Sequence, residues 1–264
     1  MKPEFGDDLA LIVEAAHAAG ALAQALRDQG LSVDFKATDS SPVTNADLAA
    51  DTLLKETLRR ARPSYGWLSE ETVDDPVRMS ARRLFVVDPI DGTRSFAAGR
   101  PWWTVCVAVV EDGRPIAGVV FAPQLGETYA ARAGAGATLN GLPIRASATA
   151  AVEGCGIIGD PRMFRHPSWP TPWPEMQVKQ RNSTAYRMCL VAAGEADAAL
   201  ALTAKHDWDL AAADLIAREA GGYVGDHTGR AFAYNGLVPM QPSLVCAAPA
   251  LAPLILARVR HIAL

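Results

Sequence analysis

The chain has 264 residues, half of them apolar and a fifth charged, enough for one large core or two modest ones. Its net charge of −4 and pI near 5.7 argue against a nucleic-acid surface, while leaving room for a local basic patch around one phosphorylated ligand. Cys106, Cys155, Cys189 and Cys246 lie far apart in apolar stretches with no Cys-x-x-Cys pair, the pattern of reduced, buried side chains in a cytoplasmic protein.

The first residues carry acid where a signal peptide wants base, and no apolar run approaches the ~18 residues that span a bilayer, so no membrane partner is expected. Asp7 and Asp8 open a helix to about residue 27, with Leu9, Ile12, Val13, Ala16, Ala19 and Ala23 as its apolar stripe. An extended piece over 32–36 leads to a polar loop, Thr38-Asp39-Ser40-Ser41-Pro42. A second helix runs from Thr44 or Asn45 to about Ala61, where Pro63 stops it. Residues 65–68 and 84–87 read as short buried strands that end in acid. From Trp103 the period changes to two. Val105, Val107 and Val109 alternate with smaller residues, Asp112-Gly113 turns the chain, and 116–121 returns. Residues 127–133 and 138–145 extend the meander.

The second half reads differently: a strand at Ile157-Ile158, a Pro/Trp loop over 161–174, a helix over 183–193 and a strand over 196–202. A helix over 208–220 then ends at Gly221-Gly222, followed by strands at 223–225 and 243–247 and a terminal helix. Two subdomains are expected, 1–148 with an antiparallel sheet and 149–264 as a smaller α/β unit, with the boundary near 146–154.

The most informative segment is Leu84-Phe85-Val86-Val87-Asp88-Pro89-Ile90-Asp91-Gly92-Thr93. A buried strand delivers Asp88, and Pro89, with no N–H for the ladder, is expected to end it. Asp91 then turns toward the same pocket, and Gly92-Thr93 start a helical turn whose free N–H groups favour an anion. Taken alone, Asp-x-x-Asp is also a β-turn with a capping Asp. Two more acidic groups change the balance: Trp67-Leu68-Ser69-Glu70-Glu71-Thr72 and His206-Asp207-Trp208-Asp209, at a strand end and just before a helix. Singly these read as a solvated turn and a helix cap. Together, hard oxygen ligands with no His or Cys set suit Mg²⁺ better than Zn²⁺.

These motifs resemble the inositol monophosphatase superfamily of metal-dependent, lithium-sensitive phosphatases. The resemblance rests on Glu70-Glu71, on Asp88 to Thr93, and on Trp208-Asp209-x-Ala211 running to Ala220-Gly221-Gly222, in the family's order and spacing. It implies an α/β fold of α+β type, a layered α/β/α/β/α sandwich like that of inositol monophosphatase and fructose-1,6-bisphosphatase, and a homodimer. It also implies two or three Mg²⁺ per site, with Glu70, Asp88 and the Ile90 carbonyl on the first and Asp88, Asp91 and Asp209 on the second. Thr93, backed by Asp47, would orient and deprotonate the attacking water. Gly92, Thr93, Ser183, Thr184 and Asp209 would contact the substrate, a small phosphate ester. Thr44-x-x-Asp47 is in addition a helix-capping pattern.

The family usually has Asn and His where this chain has Ser95 and Ala98, and its inositol-specific members carry a Glu where this chain reads Leu200-Ala201-Leu202. Inositol or another polyol phosphate, 3′-phosphoadenosine 5′-phosphate and histidinol phosphate are therefore all substrate candidates, with Arg187 able to pair a second phosphate. The alternative from another class is an inactive sensor of a phosphorylated metabolite. Gly134-Ala135-Gly136 leads into another turn and is no dinucleotide fingerprint, and there is neither a Gly-x-Ser-x-Gly elbow nor a Walker A motif.

Overall fold

The structure, a computed structural model, describes residues 5–36 and 40–264. Part of the expected polar loop, residues 37–39, lies outside them. In chain order the first half holds α1 (Phe5–Gln29), β1 (Val33–Phe35), β2 (Pro42–Thr44), α2 (Asn45–Ala61), β3 (Gly66–Ser69), β4 (Arg83–Asp91), α3 (Thr93–Ala97), β5 (Thr104–Glu111), β6 (Arg114–Ala122), β7 (Glu127–Arg132), β8 (Ala137–Leu139) and β9 (Leu142–Pro143). The second half holds β10 (Gly156–Ile158), α4 (Pro161–Phe164), β11 (Gln177–Lys179), α5 (Thr184–Ala192), β12 (Ala198–Ala201), β13 (Lys205–His206), α6 (Asp207–Glu219), β14 (Tyr223–Gly225), β15 (Met240–Gln241), β16 (Leu244–Ala247) and α7 (Ala252–Val259).

Side-chain alternation along β4 explains the layering. Phe85 and Val87 point to one face of the seven-stranded sheet β3-β4-β5-β6-β7-β8-β9, into a core with Ile12, Ala16 and Ala19 of α1 and Ala50, Leu54 and Leu58 of α2. Leu84 and Val86 point to the other face, against Met188, Cys189 and Ala192 of α5 and Leu210, Ala213 and Ile216 of α6. The same two helices cover one face of a second sheet, β11-β10-β12-β16-β14, through Ile158, Ala199 and Cys246. That sheet's far face, with Ile157, Ala198 and Val245, buries Ile255 and Val259 of α7. The order is therefore helices, sheet, helices, sheet, helix. Contact between the inner layers is close: a Cβ on Gly118 of β6 would lie 2.9 Å from the Ala212 carbonyl oxygen of α6.

Helix α2 starts where its cap requires. Thr44 accepts from the Ala46 and Asp47 amides, and Asp47 accepts from the Thr44 amide in return, a capping box. All four cysteines are free and buried. Trp169 and Trp173 pack together at 5.4 Å and against the α7 core, so their loop, which contains the single turn α4, serves packing.

Three expectations need correction. Helix α1 begins at Phe5, ahead of the acidic pair. Over Asp8–Gln29 it is also, by length and composition alone, long and apolar enough to cross a membrane, with mean hydropathy 1.5. Charged residues punctuate this Ala-rich helix, so it carries no uninterrupted apolar run, and its apolar stripe is buried on the sheet and α2. Finally, β3 and β4 pair in parallel, so the first sheet is mixed at one edge, and β8 and β9 are two strands joined at Asn140-Gly141.

Candidate metal centre

Strand β4 does not stop at Pro89. Asp88 pairs with Cys106 and Asp91 with Thr104, so three steps along β4 face two steps along β5. That extra residue is a β-bulge, and Pro89, lacking an N–H, sits where the ladder is interrupted. The bulge settles the site's parity. Residues three apart in a regular strand point to opposite faces, and one extra residue brings Asp88 and Asp91 to the same side. Gly92 follows at φ 98, where a Cβ would come within 3.0 Å of the Trp102 oxygen and 3.2 Å of the Ser183 nitrogen. Only glycine fits this turn into α3.

Asp209, in the first turn of α6, completes the group. One carboxylate oxygen from each of Asp88, Asp91 and Asp209 lies within 4.8 Å of the others. Helix α6 begins at Asp207, so Asp209 is its third residue rather than a preceding one, and its Oδ2 accepts the His206 amide at 2.9 Å. The cavity around the three, about 350 Å³, is also lined by Glu70, Ile90, Gly92, Thr93, Ser183 and Thr184. Glu70 and Glu71 share the Lys36 ammonium at 2.8 Å each.

Each carboxylate has its own support. Asp91 Oδ2 accepts from Ser183 Oγ and from the Ala185 amide, both at 2.7 Å. Ser183 caps α5 at φ 61, a conformation an L-residue adopts at a cost of about 1–3 kcal/mol. Its hydroxyl also meets Thr104 Oγ1 at 3.0 Å and accepts the Tyr186 amide at 2.9 Å. Thr93 Oγ1 lies 3.1 Å from Asp47 Oδ1 and 3.0 Å from the Ile90 carbonyl oxygen, with one proton to donate between them. Asp88 Oδ1 accepts the Ile90 amide at 3.0 Å, while its Oδ2 is buried without a hydrogen-bond partner among the described residues.

Electrostatics make the cluster costly by itself. Burial, then repulsion from Glu70, Asp91 and Asp209, holds the Asp88 carboxyl well above the usual carboxylate range. Asp209 is pushed up to about 8 by burial and by Asp91 and Glu70. Burial also raises Asp91, against the bonds from Ser183 and Ala185, and raises Asp47 against its bonds from Thr44. Glu71 rises to about 7 through burial, offset in part by Lys36. Burial lowers Lys36, but Glu70 and Glu71 outweigh it and leave the ammonium more strongly protonated than usual. Convergent all-oxygen ligands, one of them an orphaned buried carboxylate oxygen, fit a hard divalent cation.

Glu70, Asp88, Ile90, Asp91, Gly92, Thr93, Ser183, Thr184 and Asp209 line one cavity, while Asp47 reaches it through Thr93 and Glu71 through Lys36. The Ser183 hydroxyl is engaged by Asp91, Thr104 and the Tyr186 amide. Lys36 was missed: it follows an exposed three-residue strand and belongs to no motif, so only the fold shows that it meets Glu70. Asp207 is structural, accepting from the Asn235 amide and Gln241 at 2.8 and 2.9 Å.

Comparison with known proteins agrees with this geometry. Residues 7–264 match the inositol monophosphatase family. A histidinol-phosphatase of Mycobacterium tuberculosis is 37% identical over 228 residues, covering 79% of this chain and 85% of that protein. An inositol-1-monophosphatase of Rhizobium meliloti is 34% identical over 209 residues, 76% of this chain and 77% of its own. Among solved structures, an IMPase of Thermotoga maritima superposes with TM-score 0.83 at 28% identity, over 96% of each chain. By its sequence, its layered fold and its carboxylate site, the chain belongs to the inositol monophosphatase family.

Proposed function

We propose that this phosphatase hydrolyses the phosphate monoester of a small metabolite with Mg²⁺ held by Glu70, Asp88, the Ile90 carbonyl, Asp91 and Asp209. The observation that carries the reading is the bulge that brings Asp88 and Asp91 to Asp209 within 4.8 Å, with Asp88 Oδ2 buried and unpartnered. When bound, divalent cations neutralise phosphate charge, make a water acidic enough to attack near neutral pH, and stabilise the leaving oxygen.

The chain's own residues supply positioning and proton transfer. Thr93 Oγ1 donates to Asp47 Oδ1, which leaves its lone pairs free to accept the proton of an incoming water. Asp47, raised by burial, is a stronger base than an exposed aspartate. Two amides and the Thr44 hydroxyl fix the geometry of this relay through the α2 cap, so the carboxylate need not reorganise. Ser183 and the Ala185 amide hold Asp91 in one rotamer. Inositol or polyol phosphates remain in the substrate class, although the Leu200-Ala201-Leu202 stretch offers no carboxylate to a sugar hydroxyl.

Phosphate release from p-nitrophenyl phosphate, with Mg²⁺ and with a chelator, tests the reading. Turnover is expected only with metal, and Asp91→Asn is expected to abolish it in a folded protein. Chelator-resistant turnover, or near-normal activity of D91N, would overturn the assignment.

A further inference from the structure

A second cavity, of about 620 Å³, adjoins the carboxylate site and shares Arg94, Thr184 and Arg187 with it. Its character is opposite. Arg94, Arg187 and Lys205 line it, and the one carboxylate among its described lining residues, Asp160, is already bound by Arg162 at 2.9 Å. Among the described residues none of these three cations forms an ion pair. Arg187 donates through Nε to the Arg181 carbonyl at 2.6 Å, which orients the guanidinium and leaves both terminal nitrogens without a hydrogen bond among the described residues. Among the described residues the Lys205 ammonium is hydrogen-bonded only by neutral oxygens, Thr203 Oγ1 at 2.9 Å, the Ala204 carbonyl at 3.0 Å and the Thr203 carbonyl at a weak 3.4 Å. Arg187 and Lys205 are half-buried and Arg94 is exposed. The carboxylates whose field reaches Arg187 and Lys205 are Asp91 and Asp209, the ones assigned to the metal, so a further anion is favoured beside these cations.

We infer that this cavity receives the leaving group, and that Arg94, Arg187 and Lys205 select a leaving group carrying its own anion, a carboxylate or a second phosphate. The inference rests on the phosphatase reading, because the scissile phosphate must first sit at Asp88, Asp91 and Asp209 for the rest of the substrate to reach this cavity. Arg94 and Arg187 line both cavities and so also face the scissile phosphate. Lys205 lines the outer cavity alone and is the discriminating residue. An uncharged polyol gains little there, and a leaving group bearing an ammonium is repelled. Arg187 and Arg94 offer planar forks that match either anion in two-point contact.

The test measures kcat/KM with Mg²⁺ for p-nitrophenyl phosphate and four small esters: glycerol 3-phosphate (neutral), O-phosphoethanolamine (cationic), 3-phosphoglycerate (carboxylate) and fructose 1,6-bisphosphate (second phosphate). At least one anionic ester is expected to exceed glycerol 3-phosphate by about tenfold or more, with phosphoethanolamine the poorest, since each charged hydrogen bond contributes about a tenfold factor. The two anionic arms tell carboxylate from phosphate. In Lys205→Met the ratio of the preferred anionic ester to glycerol 3-phosphate should fall by about tenfold, through a rise in KM for the anionic ester, and an unchanged ratio would overturn the role of Lys205. Equal rates on the neutral and anionic esters, or preference for phosphoethanolamine, overturn the inference while turnover of p-nitrophenyl phosphate keeps the phosphatase reading intact. Loss of all metal-dependent turnover in the wild-type protein takes both down.

Discussion

Asp209 gives the sharpest test of the electrostatic argument, because its carboxyl is placed for a metal and is unfavourable without one. In the unfolded chain it titrates near 3.8, in the folded one at about 8. A raised folded value means that the group stabilises the fold only while protonated. Its penalty grows from the unfolded value upward and levels off above the folded one. At about 1.4 kcal/mol per pH unit, the cost of Asp209 reaches about 4 kcal/mol near pH 7. Repulsion shared with Asp91 and Glu70, and the carboxyl's contact with solvent, halve this to about 2 kcal/mol. Asp209→Asn keeps an oxygen to accept the His206 amide and removes the charge. In chelator near pH 7 the variant should melt about 4–8 °C above the wild type, at about 2–4 °C per kcal/mol for a chain of this size. The gap should vanish toward about pH 4 and stop growing above about pH 8. Saturating Mg²⁺ should raise the wild-type melting temperature and leave D209N nearly unmoved, while turnover disappears. Melts followed by circular dichroism across pH, with chelator and with Mg²⁺, measure all of this. A variant that melts at or below the wild type in chelator near neutral pH would refute the account of a mutually repelling cluster.

Thr93→Val removes the hydroxyl between Asp47 and the cavity, and kcat should fall by about a hundredfold or more. The Mg²⁺ concentration for half-maximal activity should stay where it is, and a parallel loss of metal affinity would assign Thr93 to the metal instead. Ser183→Ala takes one of two donors from Asp91 and the cap from α5. Mg²⁺ titration of activity should then shift by about tenfold or more, and stability should fall by about 1 kcal/mol. Arg78→Met tests a polar cluster that lies outside the cavity lining and reaches the start of α6 through Asn235 and Asp207. This buried arginine binds Asp74 at 2.6 and 3.0 Å, Asn235, and the Gly236 carbonyl at 3.0 Å. Its loss should cost about 1–3 kcal/mol in denaturant unfolding, with kcat/KM for p-nitrophenyl phosphate unchanged.

What the sequence revealed depended on how local the cause was. Helix α2 was legible to within about a residue at each end because Thr44, Asp47 and Pro63 fix its ends without help from elsewhere. The hairpin at Asp112-Gly113 was legible for the same reason: both residues take positive φ, as such a tight turn requires. The strands β11, β13 and β15 are two or three residues long and show no periodicity to read. Their existence follows from a partner strand. Lys36 is the clearest case at the site, since nothing near it in the sequence tells of Glu70 and Glu71.

The bulge in β4 shows why a site can be recognised from a motif while its geometry is misread. Proline in a strand pattern argues locally for an ending, and that argument holds wherever the partner strand keeps regular register. Here β5 resumes pairing with Asp91 one residue out of step, a fact that belongs to two strands and to neither sequence alone. Three local rules are broken within this small region: Pro89 inside a strand, Ser183 at positive φ, and Asp88 Oδ2 buried without a partner. Each departure serves the same end. Pro89 marks the bulge that turns Asp91 to the side of Asp88, Ser183 donates to Asp91 from its positive-φ conformation, and the Asp88 oxygen has no partner among the described residues and is open to a cation. Local inconsistencies that converge on one pair of carboxylates are what a folding chain tolerates when a ligand completes the structure.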